Sequence, residues 1–394
     1  MLDFYQQGTI VVTCKDRSAP YLEQEIRELG YNVTHTGRTA VELQGHLHDC
    51  LVLNMHLRTA SHVLFEIKTF NINHPDELYK QVKSIPWEQY LDKEGFFSVI
   101  SNVRHPSVDN PLFVNVRIKD AIVDRFRDKT GQRPNSGSAL NGAVFQLFWK
   151  DESATLYINT SGETLAKHGY RKIPGKAPMM EDLAAANILV TNWRGGGPFI
   201  NPMCGAGTMA IEAALFATDR YPGLYRSQYA IQHLNGYEPS KYEELQKELQ
   251  AKVKKGKLAP IIATDISKDA LRAARQNAAY AGVDHLIRFE LCDFADTTIP
   301  EMAEGVIFFN PEYGERLGEI ERLEGTYKRM GDFLKQRCAG YTGFIFTGNL
   351  DLAKRIGLRA SRRIEFYNGT LDCRLLKFEM YGGTKRAEQK PENS

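Results

Sequence analysis

An unbroken apolar run, Val306-Ile307-Phe308-Phe309, leads directly into Asn310-Pro311-Glu312-Tyr313-Gly314. A run this short, bounded by turn residues, suits a buried strand better than a helix. Pro311 has no amide hydrogen to give to a sheet ladder, so the strand must stop there and its end opens onto something bound. An amide, a carboxylate and an aromatic ring at such an opening suit the capture and methylation of an exocyclic amine. They have no use in hydride transfer.

A second cluster supplies the other half of that chemistry. Asn201-Pro202-Met203-Cys204-Gly205-Ala206-Gly207-Thr208 joins an apolar strand to a helical run, Met209 to Leu215. Gly205 and Gly207 let a ligand approach the backbone, and the helix N-terminus presents free N–H groups. Taken singly, the glycine pair also reads as a tight strand-to-helix turn. The next strand ends in Ala263-Thr264-Asp265, where a carboxylate can accept both ribose hydroxyls of a nucleoside-containing cofactor. The third ends in Cys292-Asp293-Phe294, where Asp293 can accept from an adenine amino group with Phe294 beside the ring. Each acid alone also fits a helix cap or a surface position. Together they converge on the carboxyl edge, where open α/β sheets bind ligands. Ala210 completes a G-x-G-x-x-A pattern that dinucleotide folds also permit, so the glycines do not choose the cofactor.

Behind these tips the chain alternates strand and helix from about Met180. Strands are expected at Pro198–Pro202, Pro260–Asp265, Ile287–Leu291, Gly305–Asn310 and Gly343–Gly348. That rhythm predicts a parallel, doubly wound sheet. Ile364–Tyr367 and Leu375–Tyr381 flank Asn368-Gly369, which predicts a closing hairpin. The first third is α+β: strands at Gly8–Thr13, Phe96–Arg104, Pro111–Arg117, Ala143–Trp149 and Ala154–Asn159, with helices at Pro20–Leu29, Glu77–Ile85 and Ile118–Thr130. Domain boundaries follow at 1–165 and 166–383, with an insertion at about 218–258 and a polar tail at 384–394. Within the insertion, Lys241–Lys257 reads as a solvated helix, either a charged surface element or a substrate contact.

Composition sets limits. The 394 residues are 25% charged and 42% apolar with a net charge of +2, so any basic surface must be local. The six cysteines are scattered without a C-x-x-C pair, and with the histidines they show no zinc-ligand spacing, so no metal is expected. Free thiols, no signal-peptide pattern and no long apolar run point to the cytoplasm and away from a membrane.

Several further segments carry a family resemblance. They are Asp120-Ala-Ile-Val-Asp-Arg-Phe-Arg127, Ser161-Gly162-Glu163, His168-Gly169-Tyr170-Arg171, Ala177-Pro178 and Glu181-Asp182-Leu183-Ala184-Ala185. With N-P-M-C-G-A-G-T, A-T-D-I-S and N-P-E-Y-G-E-R-L, they lie in order over roughly residues 115–320. In these the chain resembles the THUMP-domain-containing class I S-adenosylmethionine-dependent RNA methyltransferases, in their bacterial 23S rRNA guanine-N2 branch. The resemblance implies a ferredoxin-like plus THUMP RNA-binding module, then a Rossmann-like seven-stranded methyltransferase sheet closed by an antiparallel hairpin. It implies Met203, Gly205 and Gly207 at the methionine side of the cofactor, Asp265 at its ribose and Asp293 at its adenine. Asn310 and Pro311 then receive the amine through the Asn310 side-chain oxygen and the Pro311 carbonyl, and Tyr313 stacks on the base.

Two positions depart from the family pattern. Asn201 stands where an aspartate is usual, and Glu312 where a second proline is usual. Glu312 either faces solvent or reads guanine by accepting from N1–H and N2–H together. The basic residues Arg125, Arg127, Lys129 and Arg133, with Arg316 after the N-P-E-Y loop, are candidate phosphate contacts. Asp120, Asp124 and Asp128 dilute the first group, which reads equally as a solvated helix face. The expected activity is methylation of an exocyclic amine, guanine N2 in 23S rRNA or a large-subunit precursor. A tRNA guanine-N2 or adenine-N6 methyltransferase, or a non-catalytic RNA-binding assembly factor, remain the alternatives.

Overall fold

The computed structural model describes residues 2–175, 179–302, 304–314 and 317–381. Arg316, Ala177, Pro178 and the 384–394 tail therefore lie outside the described residues. In chain order the first elements are β1 (Gln7–Cys14), α1 (Ala19–Glu28), β2 (Val33–Thr36), β3 (Ala40–His46), α2 (Leu47–His56) and β4 (Ala60–Asn71). Next come α3 (Pro75–Ser84), β5 (Phe96–Arg104), α4 (Pro111–Thr130), β6 (Asn135–Gly137), β7 (Ala143–Lys150) and β8 (Ser153–Asn159). The following stretch holds α5 (Glu181–Thr191), β9 (Phe199–Pro202), α6 (Thr208–Ala217), α7 (Pro239–Lys252), β10 (Ile261–Asp265) and α8 (Lys268–Tyr280). The last holds β11 (Ile287–Leu291), β12 (Val306–Phe309), α9 (Leu317–Arg337), β13 (Thr342–Thr347), α10 (Leu350–Arg355), β14 (Arg362–Asn368) and β15 (Leu371–Glu379).

Two compact units result, one of Met1–Ala166 with Tyr221–Ala251, the other of Lys167–Arg220 with Lys252–Ser394. The first is built on an eight-stranded sheet in the order β2-β3-β1-β4-β8-β7-β5-β6. The long β4 makes it continuous, pairing with β1 from Ala60 to Phe65 and with β8 from Leu64 to Asn71. Alternate residues such as Ile10, Val12, Val41 and Leu43 face inward, where Leu22 and Ile26 of α1 cover them.

Two expectations fail in this unit. Pro111–Arg117 is not a strand but the opening of α4. The Asn110 side chain caps it, accepting from the Leu112 amide at 2.9 Å, and Pro111 occupies the first turn, where its missing N–H costs nothing. The segment expected as a surface insertion of the second domain packs instead into the first. Tyr229, Ile231, Leu234, Leu245 and Leu249 all join the N-terminal core. The Arg226 guanidinium fastens it further by donating to the carbonyls of Ser161, Glu163 and Thr164 at 2.8–3.0 Å. Its helix ends at Lys252, short of the expected Lys257.

The second unit has the expected α/β architecture, a seven-stranded sheet in the order β11-β10-β9-β12-β13-β15-β14. The first five strands run parallel, and β15 and β14 close the sheet as an antiparallel hairpin. Chain order reverses between β9 and its neighbour β12, which makes the crevice beyond their carboxyl ends the natural ligand position.

Helix α6 is buried almost all round, and Glu212 is its one ionisable residue. Segment 168–170 answers that charge: His168 Nδ1 lies 2.8 Å from Glu212 Oε1, and the Tyr170 hydroxyl donates to the same oxygen at 2.7 Å. Cutting one partner from a buried cluster strands the others. Glu212→Ala should therefore lower unfolding free energy by about 3–5 kcal/mol, read by urea titration.

Candidate active site

Strand register brings the predicted residues to one edge. Ile200 of β9 pairs with Ile307 of β12, so Met203 and Asn310 each lie three residues beyond a matched pair. On the other side Thr264 of β10 pairs with Pro202, and Asp265 pairs with Leu291 of β11. Asn201, expected near the cofactor, is buried, and its Nδ2 donates to the Phe308 carbonyl at 2.9 Å.

The glycine loop is shaped as its composition demands. Met203, Gly205 and Gly207 all have positive φ, at 55°, 55° and 85°. A β-carbon on Gly205 would meet nothing within 4 Å, so space stands open above it. One on Gly207 would sit 2.9 Å from Ala274 Cβ, so this glycine serves close packing of the loop against α8. Asp265 clamps the turn: Oδ2 accepts from the Gly205 amide at 2.9 Å and Oδ1 from the Ser267 amide at 2.8 Å. Each oxygen keeps acceptor capacity for a further donor. Asn277 of α8 holds the loop from behind, donating to the Ala206 carbonyl at 3.2 Å and accepting from the Lys172 and Ile173 amides. Sequence reasoning missed it, although an asparagine at an apolar-face helix position was visible.

Asp293 caps a short 3₁₀ turn through the Ala295 amide and also pairs with Arg329 of α9, whose Nη2 lies 2.6 Å from Oδ1. The same guanidinium covers the Phe294 ring at 4.8 Å. Phe294 itself is 6% exposed and meets Phe309 and Phe333 edge to face, so its ring forms the floor of the core. Two large apolar side chains at the strand tips, Ile266 and Leu291, are exposed by 75% and 58%. They flank the carboxylates and could cover the faces of a bound ring.

At the tip of β12, Pro311 is buried and Tyr313 half-buried. The Tyr313 hydroxyl donates to Asn310 Oδ1 at 2.9 Å, and its ring tilts inward against Phe346, 6.3 Å between centroids. The ring expected to stack on the base thus has one side against the fold. Its loop is gripped from below: Tyr327, fully buried, donates to the Glu312 carbonyl at 3.2 Å, and Asn349 Nδ2 to the Tyr313 carbonyl at 3.0 Å. The Glu312 side chain is 71% exposed and pairs with Arg322 at 3.2 Å.

Of the basic residues on and after α4, Arg125 is committed to Glu88, its Nε and Nη2 reaching both carboxylate oxygens at 3.1 and 2.6 Å. Arg127 stands 3.4 Å from Asp124, exposed, and Lys129 and Arg133 are exposed as well. Among the described residues no group of three or more His, Cys, Asp or Glu could hold a metal ion, and no helix is long and apolar enough to cross a membrane.

Residues 168–377 match the family model of the RMKL-like methyltransferase domain, 73–159 the THUMP domain, and 9–64 the RlmL ferredoxin-like domain. The chain is 37% identical over 370 residues to a ribosomal RNA large subunit methyltransferase K/L of Syntrophotalea carbinolica, covering 92% of this chain and 52% of that protein. It thus spans about half the length of the K/L relatives it matches. A Synechocystis protein named as a candidate RNA methyltransferase is 32% identical, with 91% of this chain and 93% of that one covered. Among solved structures, a candidate methyltransferase complexed with SAH superposes with a TM-score of 0.87 at 25% identity, covering 96% of this chain and 100% of that one. A Listeria monocytogenes protein named a predicted N6-adenine-specific DNA methylase does so at 0.85 and 29%, covering 96% and 97%.

Proposed function

Because the chain belongs to the RMKL-like methyltransferase family, we propose that it is an S-adenosylmethionine-dependent RNA methyltransferase acting on an exocyclic base amine, guanine N2 of 23S rRNA or its large-subunit precursor. The observation that carries this reading is the Gly205–Asp265 clamp on the same sheet edge as Asn310. Open space above Gly205, spare acceptors on Asp265 and exposed Ile266 and Leu291 suit a nucleoside with an attached cationic chain.

When bound, S-adenosylmethionine supplies an electrophilic methyl group. The protein's own part is alignment. Asn310 Oδ1 and the Pro311 carbonyl accept the two amine protons, which turns the nitrogen lone pair toward the methyl; one of those protons leaves to water after transfer. Positioning of this kind can lower a barrier by up to ~7–11 kcal/mol. For the RNA backbone, exposed Arg127, Lys129 and Arg133 suit phosphate contact, whereas Arg125 would first have to leave Glu88.

Nucleoside mass spectrometry of RNA from a deletion strain tests the reading. Loss of one N2-methylguanosine from ribosomal RNA is the expected result. Loss of N6-methyladenosine, or of a tRNA N2-methylguanosine, would move the substrate; the name of the Listeria relative shares the adenine N6 position with the first, but on DNA. An unchanged profile with defective ribosome assembly would leave an RNA-binding assembly factor.

Glu312 bears on base choice. Its exposure and its pair with Arg322 support a solvent-facing role, and exposed pairs contribute little. Glu312→Gln should keep its methylation rate on unmodified 23S rRNA within about fivefold of wild type, the ceiling for an exposed pair near 1 kcal/mol. A larger loss, together with relaxed preference for guanine, would make the carboxylate a base reader.

A further inference from the structure

Tyr313 is the one aromatic ring in the N-P-E-Y loop, and one side of it is held by the fold. A β-carbon on Gly348 would stand 3.1 Å from Tyr313 Cδ2, and the ring tilts at 54° to Phe346. Phe346 in turn meets Phe366 of the closing hairpin, 6.2 Å between ring centroids. The hydroxyl donates to Asn310 Oδ1, 2.9 Å away. Burial raises the phenol far above its ordinary range, so it stays a donor at neutral pH.

We propose that the Tyr313 hydroxyl is a positioning group that locks the Asn310 side-chain amide in the rotamer that receives the target amine, its own ring seated against Phe346 of β13. This rests on the functional reading above. An amide oxygen has two lone pairs. One is occupied by the phenol, and the other is thereby aimed at the amine. The Asn310 Nδ2 group, which would repel an amine proton, is held away. Packing behind the ring, at Phe346 of β13, thus sets the geometry of the reactive loop.

Tyr313→Phe separates this role from stacking, because phenylalanine keeps the ring and loses only the hydroxyl. With tritiated S-adenosylmethionine and ribosomal RNA from the deletion strain, kcat should fall by about tenfold or more, the range expected for an interaction that only orients the reacting group. KM for RNA and calorimetric affinity for S-adenosylhomocysteine should stay within about twofold of wild type. On an Asn310→Ala background the same change should cost nothing further, since the hydroxyl acts only through Asn310. A Phe variant with wild-type kcat, or a loss that adds fully to that of Asn310→Ala, overturns the proposal and leaves the functional reading standing. Should the Phe variant melt early, its kinetics at a temperature where circular dichroism shows it folded carry the test. A lower kcat with unchanged KM supports the role, and an unchanged kcat overturns it. A wild-type protein that methylates none of this RNA overturns both.

Discussion

Asn310→Ala is expected to reduce single-turnover methyl transfer by about 10²–10³-fold, the loss typical when one preorganised hydrogen-bonding group is removed from a reacting centre. The alanine takes away the acceptor that fixes one amine proton, so the nitrogen lone pair is no longer aimed and must find its approach by chance. Cofactor affinity should not change, because Asn310 makes no hydrogen bond to the glycine loop; its partner is Tyr313. Asn310→Asp keeps an oxygen acceptor for both the amine and the phenol, and should retain more activity than alanine. Rapid-quench kinetics beside calorimetry with S-adenosylhomocysteine would check all three statements. An alanine variant that turns over at the wild-type rate would remove Asn310 from the chemistry.

The other large effect is expected at Asp265. Alanine there removes the proposed ribose acceptor and also orphans two backbone donors, the amides of Gly205 and Ser267. A hydrogen bond to a charged group contributes about 1.5–3 kcal/mol, so losing the ribose contacts alone weakens cofactor binding by at least about tenfold, and loosening of the glycine loop carries the total beyond about a hundredfold. The loss should fall on KM for S-adenosylmethionine, with kcat at saturation largely kept. Asp265→Asn retains one acceptor of the same shape and should fall between. An alanine variant whose affinity for S-adenosylhomocysteine stays within about threefold of wild type would show that the nucleoside is held elsewhere.

The methyltransferase sheet was legible because its signals are local. Val306–Phe309 stops at Pro311, the glycines Gly205 and Gly207 take the positive-φ turn, and Asp265 sits at a strand tip. Each follows from residues within a few positions of one another. Alternation of strand and helix then leaves few topologies, and handedness rules select among them. The hairpin at Asn368-Gly369 was announced by its turn pair in the same way. The strand expected at Pro111–Arg117 fails on a signal that is equally local, the Asn110 cap followed by Pro111 that opens a helix.

What sequence alone determined, then, is the order of elements and the residue types at each strand tip, since backbone preference and turn chemistry act over short stretches. Only the tertiary structure decided which long side chains meet. Arg125 is claimed by Glu88, 37 residues away, Asp293 by Arg329, 36 away, and the Tyr313 ring packs against Phe346 of another strand. It also decided that residues 221–251 belong to the N-terminal core, where Ile231 and Leu249 find apolar partners that their charged neighbours in sequence conceal. Hydrophobic burial and ion pairing are blind to chain distance, so their outcome is set only when the whole chain has folded.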